Sequence, residues 1–407
     1  MSDQVPSEPA DARGGSPEGK PAEGPDDKPD VLPYLLIGSN IRFLAENAVK
    51  HGHKIVTVDY YGDWDTLRLG PNRSILRDGD GVMSMLSLVR LAEGIENRGV
   101  VYGPGFENDI VALRSLQRLG KTLGCDLKSA RSARNPDSLM RAAATWGFHF
   151  PETLMEKNRP PESGQWLVKP LNSLGGGGIS FFTENGKAPD SPFLFQKYIP
   201  GLPSSASVVS NGSDAAILGV TTQIVGDPDF GASGFRFVGN VYPHPFSEDI
   251  IDQVTEIAEA ITLEFDMKGL WGFDFIYDGE VTLIEVNPRP TAGMGLLGIA
   301  SFSDLLGLHV DSLAHETSDN LIDCAPARRY TAQARVFAES DLTFFGTEEW
   351  AALGARDIPE NGSIIRGGSP ILTLTASATT HAQVIETLKT QASRLLRDLE
   401  KPAARAL

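Results

Sequence analysis

The stretch WGFDFIYDGEVTLIEVNPR, residues 271–289, constrains this chain most. Two runs of aromatic and β-branched residues flank Asp278-Gly279, a dipeptide that favours a two-residue hairpin turn. Such a turn pairs Tyr277 with Glu280, Asp274 with Leu283 and Gly272 with Glu285. Opposed residues share a face of an antiparallel pair. Asp274, Leu283, Glu285 and Asn287 then point one way; Phe273, Phe275, Tyr277, Ile284 and Val286 point the other. The second set is a core face. The first set makes two carboxylates diagonal neighbours, roughly 7 Å apart. Three oxygen donors followed by Arg289 suit a hard divalent cation, Mg²⁺ or Mn²⁺, of the kind that accompanies a nucleotide.

A cation site of this kind needs a phosphate partner, and the sequence supplies candidates upstream. Lys169 lies inside the apolar strand pattern QWLVKPL (165–171), and Gly175, Gly176, Gly177 and Gly178 follow in LNSLGGGGIS. A lysine in such a strand is otherwise an edge residue that keeps its ammonium in water. Four successive glycines let backbone N–H groups converge on a phosphate. The order excludes a Walker loop, whose lysine follows its glycines. No HRD or DFG motif points to a protein kinase, and no GxGxxG follows the first strand.

The remaining organisation alternates elements. VLPYLLIGS (31–39), the helical IRFLAENAVKHG (41–52) and KIVTVDYYGD (54–63) form a β-α-β unit and imply a parallel sheet. GVVYGPGFEN (99–108) is another strand-to-loop crossing, so Gly38-Ser39 and Gly105-Phe106-Glu107 lie at a sheet edge where ligands bind. PDSLMRAAATWG (136–147) reads as a helix with Asp137 near its start. FLFQKYIPG (193–201) is a strand, and 205–226 a hairpin around Asn211-Gly212. SEDIIDQVTEIAEAITLEF (247–265) is an amphipathic helix. A hairpin-like piece (358–377) and a terminal helix (381–400) close the chain. Residues 1–30 hold no Leu, Ile or aromatic residue. They cannot offset their ordering entropy by burial and read as a disordered tail.

The formal net charge of −17 argues against nonspecific binding to nucleic acid or anionic membranes. The chain has no apolar run long enough to span a bilayer. Cys125 and Cys324 form neither a disulfide framework nor a zinc pattern and read as packing residues, consistent with a reducing cytoplasm.

Taken in order, VKP…SLGGGGI, LFQKYIPG, WGFDFIYDG and IEVNPRP resemble the ATP-grasp superfamily over about residues 31–325. The resemblance implies an α/β and α+β chain. Its parts would be a tail (1–30), a pre-ATP-grasp domain with a parallel sheet (31–127), and an ATP-grasp domain (128–325). The last comprises a lid at about 150–200 and a C-terminal antiparallel-sheet subdomain; an α+β region (326–407) follows. It also implies roles. Lys169 contacts the nucleotide phosphates and the 175–178 loop covers them. Gln196, Lys197, Tyr198 and Ile199 form the adenine-reading linker, although Gln196 stands where Glu is usual. Asp274, Glu285 and Asn287 hold Mg²⁺, and Arg289 steadies the transferring phosphate. A further phosphate-binding lysine usual in the superfamily has no clear counterpart; Lys128, Arg131 and Arg134 are the candidates. Arg236 is either a ligand for a substrate carboxylate or a surface arginine, and Glu107 either an amine ligand or a structural loop acid.

The implied activity is ATP-dependent, ADP-forming ligation of a small-molecule carboxylate to an amine, with a homodimer compatible. Bicarbonate activation and ATP sensing are the alternatives. The whole chain is similar to the ATP-grasp group related to biotin carboxylase and to the tyramine–glutamate ligase of methanofuran-type cofactor synthesis, which accompanies tetrahydromethanopterin-linked one-carbon metabolism. Deletion of residues 1–30 is expected to leave the melting temperature and ATP affinity unchanged, because the segment brings no apolar surface to a fold; calorimetry on the truncated chain checks this, and a loss of several degrees contradicts it.

Overall fold

The β-α-β unit forms as its periodicity predicts. Tyr34–Ile37, fully buried, pairs in parallel with Ile55–Asp59 and with Gly99–Tyr102. Asn72–Ser74 and Thr122–Leu123 complete a five-stranded parallel sheet. Helix Arg42–Lys50 packs its Leu44, Ala45 and Ala48 against it. At the C-terminal edge of this sheet two loops touch: a Cβ on Gly38 would lie 3.0 Å from the Gly103 Cα. The computed structural model describes residues 31–400 except 157, 159, 161–164, 185, 187–188, 301–302 and 315–328. The tail 1–30 and Cys324 lie outside the described residues; Cys125 is a buried free thiol, as its packing role requires. Among the described residues no helix is long and apolar enough to cross a membrane.

Two helices lead from the parallel sheet. Leu127–Arg134 is capped by Asp126, which accepts from the Ser129 amide at 2.8 Å. Pro136–Trp146 is capped by Asn135, has Pro136 and Asp137 in its first turn as expected, and ends at left-handed Gly147. A four-stranded antiparallel sheet follows, in the order Thr153–Met155, Phe193–Lys197, Trp166–Pro170, Ser180–Phe181. Its small core is Trp166, Val168, Phe193 and Phe195.

The largest sheet has seven antiparallel strands, in the order Val281–Asn287, Lys268–Tyr277, Leu202–Asn211, Ala215–Val225, Phe237–Tyr242, Tyr330–Phe337, Pro370–Ala378. Helix Ser247–Phe265 covers one end of one face, burying Ile250, Val254 and Ile261 with Phe273 and Phe275. Helix His381–Glu400 covers the other end, with Val384, Leu388 and Leu395 over Val336 and Leu374. Phe237–Tyr242 is a strand beyond those the sequence pattern marked, and one expectation changes here. The 358–377 segment is no hairpin: Ile364–Ile365 pairs with Leu342–Thr343, while Pro370–Ala378 pairs with Tyr330–Phe337. Ile371, Leu372 and Leu374 bury against the sheet core and the terminal helix, and two short strands alone offer no such cover.

A buried ion cluster joins the parallel sheet to the C-terminal region. Arg42 donates to Asp357 (2.7 Å) and Glu46 (2.6 Å), and Asp65 stands 3.4 Å away. Asn40 and Thr373 also donate to Asp357. Burial disfavours the ionised Asp357, but Arg42 and these hydrogen bonds outweigh it and hold the carboxyl well below its usual range. Its stabilisation is therefore present at neutral pH and lost as the pH falls below the ordinary carboxylate range. Asp357→Ala is expected to cost about 3–5 kcal/mol at neutral pH, the scale for breaking a buried ion pair. Urea denaturation measures this, and the difference from wild type should shrink in acid.

Candidate active site

The strand pair at 268–287 keeps the expected acids together by a different route. Tyr277 opposes Val281 and Phe275 opposes Leu283; beyond a bulge, Asp274 opposes Glu285 and Gly272 opposes Asn287. The turn therefore takes three residues, with Glu280 in it, instead of two. Leu283 is corrected to the core face, where it is fully buried with Phe273 and Phe275. Ile284 is only half-buried, at the bulge. Burying Val281 and Leu283 stabilises by about 1.5–3 kcal/mol each, which outweighs the preference for a tighter turn. The bulge then resets the parity, and Glu285 and Asn287 face Asp274 after all. The two acids are directly opposed, not diagonal.

Each carboxylate is held from several sides. Asp274 accepts from Gln223 Nε2 at 2.9 Å and from Asn287 Nδ2 at 3.2 Å. Burial and then the facing Glu285 push its carboxyl up to about 6. Glu285 accepts from Arg134 Nη1. Burial alone would raise it, but Arg134 and then Lys169 hold it below its ordinary value. Arg289 donates to Glu107 through Nε (2.8 Å) and Nη2 (2.7 Å), and through Nη2 to Asn287 Oδ1 at 3.2 Å. Glu107 is buried and also accepts from the Gly105 amide at 2.7 Å, which makes it a loop acid that anchors Arg289.

The four-stranded sheet brings the second half. Lys169 donates to Gln196 Oε1 at 3.0 Å, and Gln196 Nε2 donates to Thr153 Oγ1 at 3.2 Å. Burial lowers the Lys169 ammonium, opposed chiefly by Glu285. Thus Lys169, Glu285 and Asp274 lie within each other's field. Gly175, Gly176 and Gly178 adopt φ of +57°, +76° and +75°. A Cβ on Gly176 would meet the Phe235 carbonyl oxygen at 1.8 Å, and the Phe237 amide donates to Gly175 O at 2.9 Å. The glycine run is therefore pressed on the segment before Phe237–Tyr242. Gln196 contributes its side chain to Lys169, while the Lys197 and Tyr198 amides are committed to Glu152 O and Gln165 O, both at 2.9 Å. Tyr198 stacks edge-on with Phe181 at 5.1 Å, and Ile199 follows half-buried.

Of the three basic candidates in 128–134, Lys128 and Arg131 are exposed, and Arg134 is the one drawn into this cluster. Its other nitrogen donates to Asn108 Oδ1 at 3.0 Å, and Asn108 Nδ2 donates to Ser173 O at 3.2 Å, at the foot of the glycine loop. Arg236 turns elsewhere: it donates to Gly368 O at 2.9 Å and lies over the Phe337 ring, so it is not a ligand of this site. Sequence reasoning missed Gln223 and Asn108, and Ser205, whose side chain also hydrogen-bonds Asp274. The available signal for Gln223 was a polar side chain inside the otherwise apolar AAILGVTTQIV strand.

The donor set fits a divalent cation. Among the described residues no three His, Cys or carboxylate groups converge. Two opposed carboxylates are what a Mg²⁺ ion takes from protein when phosphate oxygens and water complete its shell; Asn287 stands beside them with its amide nitrogen on Asp274 and its oxygen on Arg289. Burial and then the facing Glu285 raise Asp274, and a cation at this position would offset both.

Residues 138–293 match the ATP-grasp domain family. A curated relative, the arginine-specific carbamoyl phosphate synthase large chain of Halalkalibacterium halodurans, is 25% identical over 232 residues, which is 52% of this chain and 20% of the relative. The chain thus spans a fifth of that protein's length. Among solved structures, the biotin carboxylase domain dimer of Hydrogenobacter thermophilus 2-oxoglutarate carboxylase, in complex with MgADP, ADP and bicarbonate, superposes with a TM-score of 0.67 at 15% identity, covering 88% of this chain and 89% of that one. The L-amino acid ligase of Bacillus licheniformis gives 0.63 at 13% identity, covering 89% and 97%.

Asp274→Asn is expected to raise the melting temperature at pH 7–8. A carboxyl whose folded value is raised loses stability as the pH climbs through about 6. The gain should vanish below about pH 4, where the acid is neutral folded and unfolded. Thermal denaturation of both proteins across pH checks the sign.

Proposed function

We propose that this chain, which carries an ATP-grasp domain, is an ATP- and Mg²⁺-dependent ligase that joins a small-molecule carboxylate to an amine with release of ADP and phosphate. The observation that carries the reading is the convergence of Asp274, Glu285 and Asn287 with Lys169, Arg134 and Arg289, to which Asn108 ties the foot of the glycine run. The acceptor carboxylate oxygen attacks the γ-phosphorus, the bond to the β-bridging oxygen breaks, and ADP leaves. The amine nitrogen then attacks the acyl carbon, the C–O bond to phosphate breaks, phosphate departs with that former carboxylate oxygen and the bonding pair, and the nitrogen loses a proton.

The chain's own task is positioning and charge neutralisation. Lys169, steadied by Gln196, and the amides of 175–178 hold the departing phosphates. Arg134 takes the place of the further phosphate-binding cation, and Lys197, Tyr198 and Ile199 border the base. Arg289, fixed by Glu107, presents its guanidinium to the transferring group in a fork suited to paired oxygens. Asp274, Glu285 and Asn287 would hold Mg²⁺, which would supply charge compensation to the nucleotide phosphates. The divisions at 31–127, 128–325 and 326–407 are part of this reading, as are a homodimer and a cytoplasmic setting. The narrower reading, synthesis of a one-carbon carrier cofactor, rests on the motif resemblance to the tyramine–glutamate ligase group.

Bicarbonate activation is the second reading, supported by the likeness to a biotin carboxylase domain across most of the chain. ADP release stimulated by amine and carboxylate together supports ligation; stimulation by bicarbonate alone supports the second reading. Nucleotide binding with no stimulation by either supports a sensor. In whichever assay is productive, Glu285→Gln should lower kcat about a hundredfold or more at saturating Mg²⁺, the scale of one strong transition-state contact. Near-normal ADP release by that variant removes Glu285 from the machinery.

A further inference from the structure

A cleft of about 320 Å³ opens in the C-terminal region, between helix His381–Glu400, helix Thr347–Ala352 and strand Pro370–Ala378. No residue of the candidate active site lines it. Its size falls within the roughly 300–1,000 Å³ of small-molecule sites. Trp350, Ala355 and Leu374 line it and are buried, and Leu353 lines it with an exposed side chain. Packed interiors leave few voids larger than one water molecule; this one has the volume of about ten.

Most polar groups on its walls are engaged by the chain. Thr375 Oγ1 donates to Gly354 O at 2.8 Å, and Thr390 Oγ1 donates to Glu386 O at 2.9 Å. Arg394 donates to Glu349 at 2.7 Å, stands 3.6 Å from Asp398 and lies 5.5 Å over the Trp350 ring. Arg397 is exposed, where water serves it. Gln391 differs. Its Oε1 is buried and accepts no hydrogen bond among the described residues. A buried amide oxygen without a donor is rare in folded proteins and disfavours the state that leaves it so. A single water is a poor remedy, because it needs two to four polar partners to be held, and the neighbouring hydroxyls already donate elsewhere.

The chemistry of the missing partner follows from the walls. A carboxamide is a planar acceptor–donor pair, and its complement is another amide edge with N–H and C=O side by side. The indole of Trp350 and the aliphatic side chains around it suit a flat apolar body. The rim does not select an ion, since Arg394 already has two acids beside it.

We infer that this cleft binds an uncharged ring compound with a lactam-type edge, which Gln391 pairs and Trp350, Ala355 and Leu374 cover. It is a ligand site separate from the acid pair, and it does not rest on the ligase reading. Its occupant clamps the terminal helix to the strand below. Leu374 faces the cleft, so Thr373 beside it lies on the other side of the strand. Thr373 donates to Asp357 in the buried ion cluster, and its backbone exchanges two hydrogen bonds with Arg356, both at 2.7 Å. Binding therefore strengthens the region that joins the parallel sheet to the C-terminal strands.

The test uses the full chain with isoquinolone, a bicyclic lactam, beside N-methylisoquinolone, which lacks the N–H, and benzoate. Calorimetry gives the Kd of each, and thermal denaturation gives the stabilisation. Isoquinolone is expected to raise the melting temperature and to bind about tenfold tighter than its N-methyl derivative, the scale of one hydrogen bond to a buried group. Gln391→Leu puts an apolar group of similar size in place of the unmatched amide, so it should fold, bring that ratio near one and leave the Mg-ATP Kd unchanged. Thr390→Trp, at an exposed helix position on the wall, should abolish binding of both compounds. No binding of isoquinolone to wild type overturns the site. Equal affinity for the two isoquinolones, or a ratio unmoved by Gln391→Leu, overturns the role of the amide, and tighter binding of benzoate overturns the uncharged class. Saturating Mg-ATP should leave the isoquinolone Kd unchanged; competition would place the compound in the nucleotide site and overturn the inference. A wild-type dimer that Thr390→Trp converts to monomer would give the cleft to a second copy of the chain, and this too overturns it.

Discussion

The opposition of Asp274 and Glu285 across two adjacent strands is the constraint around which this structure is arranged. Two carboxylates this close, half-buried in a sheet, cannot both ionise cheaply. The surrounding chain answers with Arg134 from the helix after the parallel sheet, Lys169 from the small sheet and Arg289 from the strand end. Each cation arrives from a different element. The electrostatic need of one strand pair therefore binds three parts of the chain together, and relief of that need by a cation would release them for other work.

The same charges explain the fixing groups. Glu107 and Asn108 are neighbours in one short loop at the edge of the parallel sheet. Glu107 anchors Arg289, and Asn108 joins Arg134 to the foot of the glycine run. A site divided among separate sheets thus has a common fastening. The glycines meet a further constraint that has nothing to do with phosphate: at Gly176 the Phe235 backbone leaves no space for a Cβ. Substitutions there would disturb docking of the loop whatever the ligand. Gly177, whose φ is not positive and whose nearest neighbour would be 3.3 Å away, is the cleaner position for examining phosphate contact.

Charge balance also separates the two arginines at the far end of the sheet. Arg42 sits among three acids and stabilises the join between the parallel sheet and the C-terminal strands. Arg335, which lines the same niche as Arg42 and Asp357, lies instead over the Phe237 ring.

What the sequence determined by itself follows from local periodicity and turn chemistry. The β-α-β start, the 247–265 and 381–400 helices, the strand carrying Lys169 and the acid-bearing hairpin were all legible, because alternation and helical spacing are short-range signals. The residues that could bear phosphate or cation were legible too, as polar groups inside apolar strands. The tertiary structure decided what short range cannot. Burial of Leu283 under a helix from elsewhere in the chain chose a three-residue turn and a bulge over the tighter turn that Asp278-Gly279 favours. Arg134 was one of three equivalent cations until the fold set it against Glu285, 151 residues away. Arg236 and Arg335 look alike in sequence, and only the packing of the C-terminal strands committed the first to the Gly368 carbonyl and set the second over the Phe237 ring, since such contacts depend on distance in space and not along the chain.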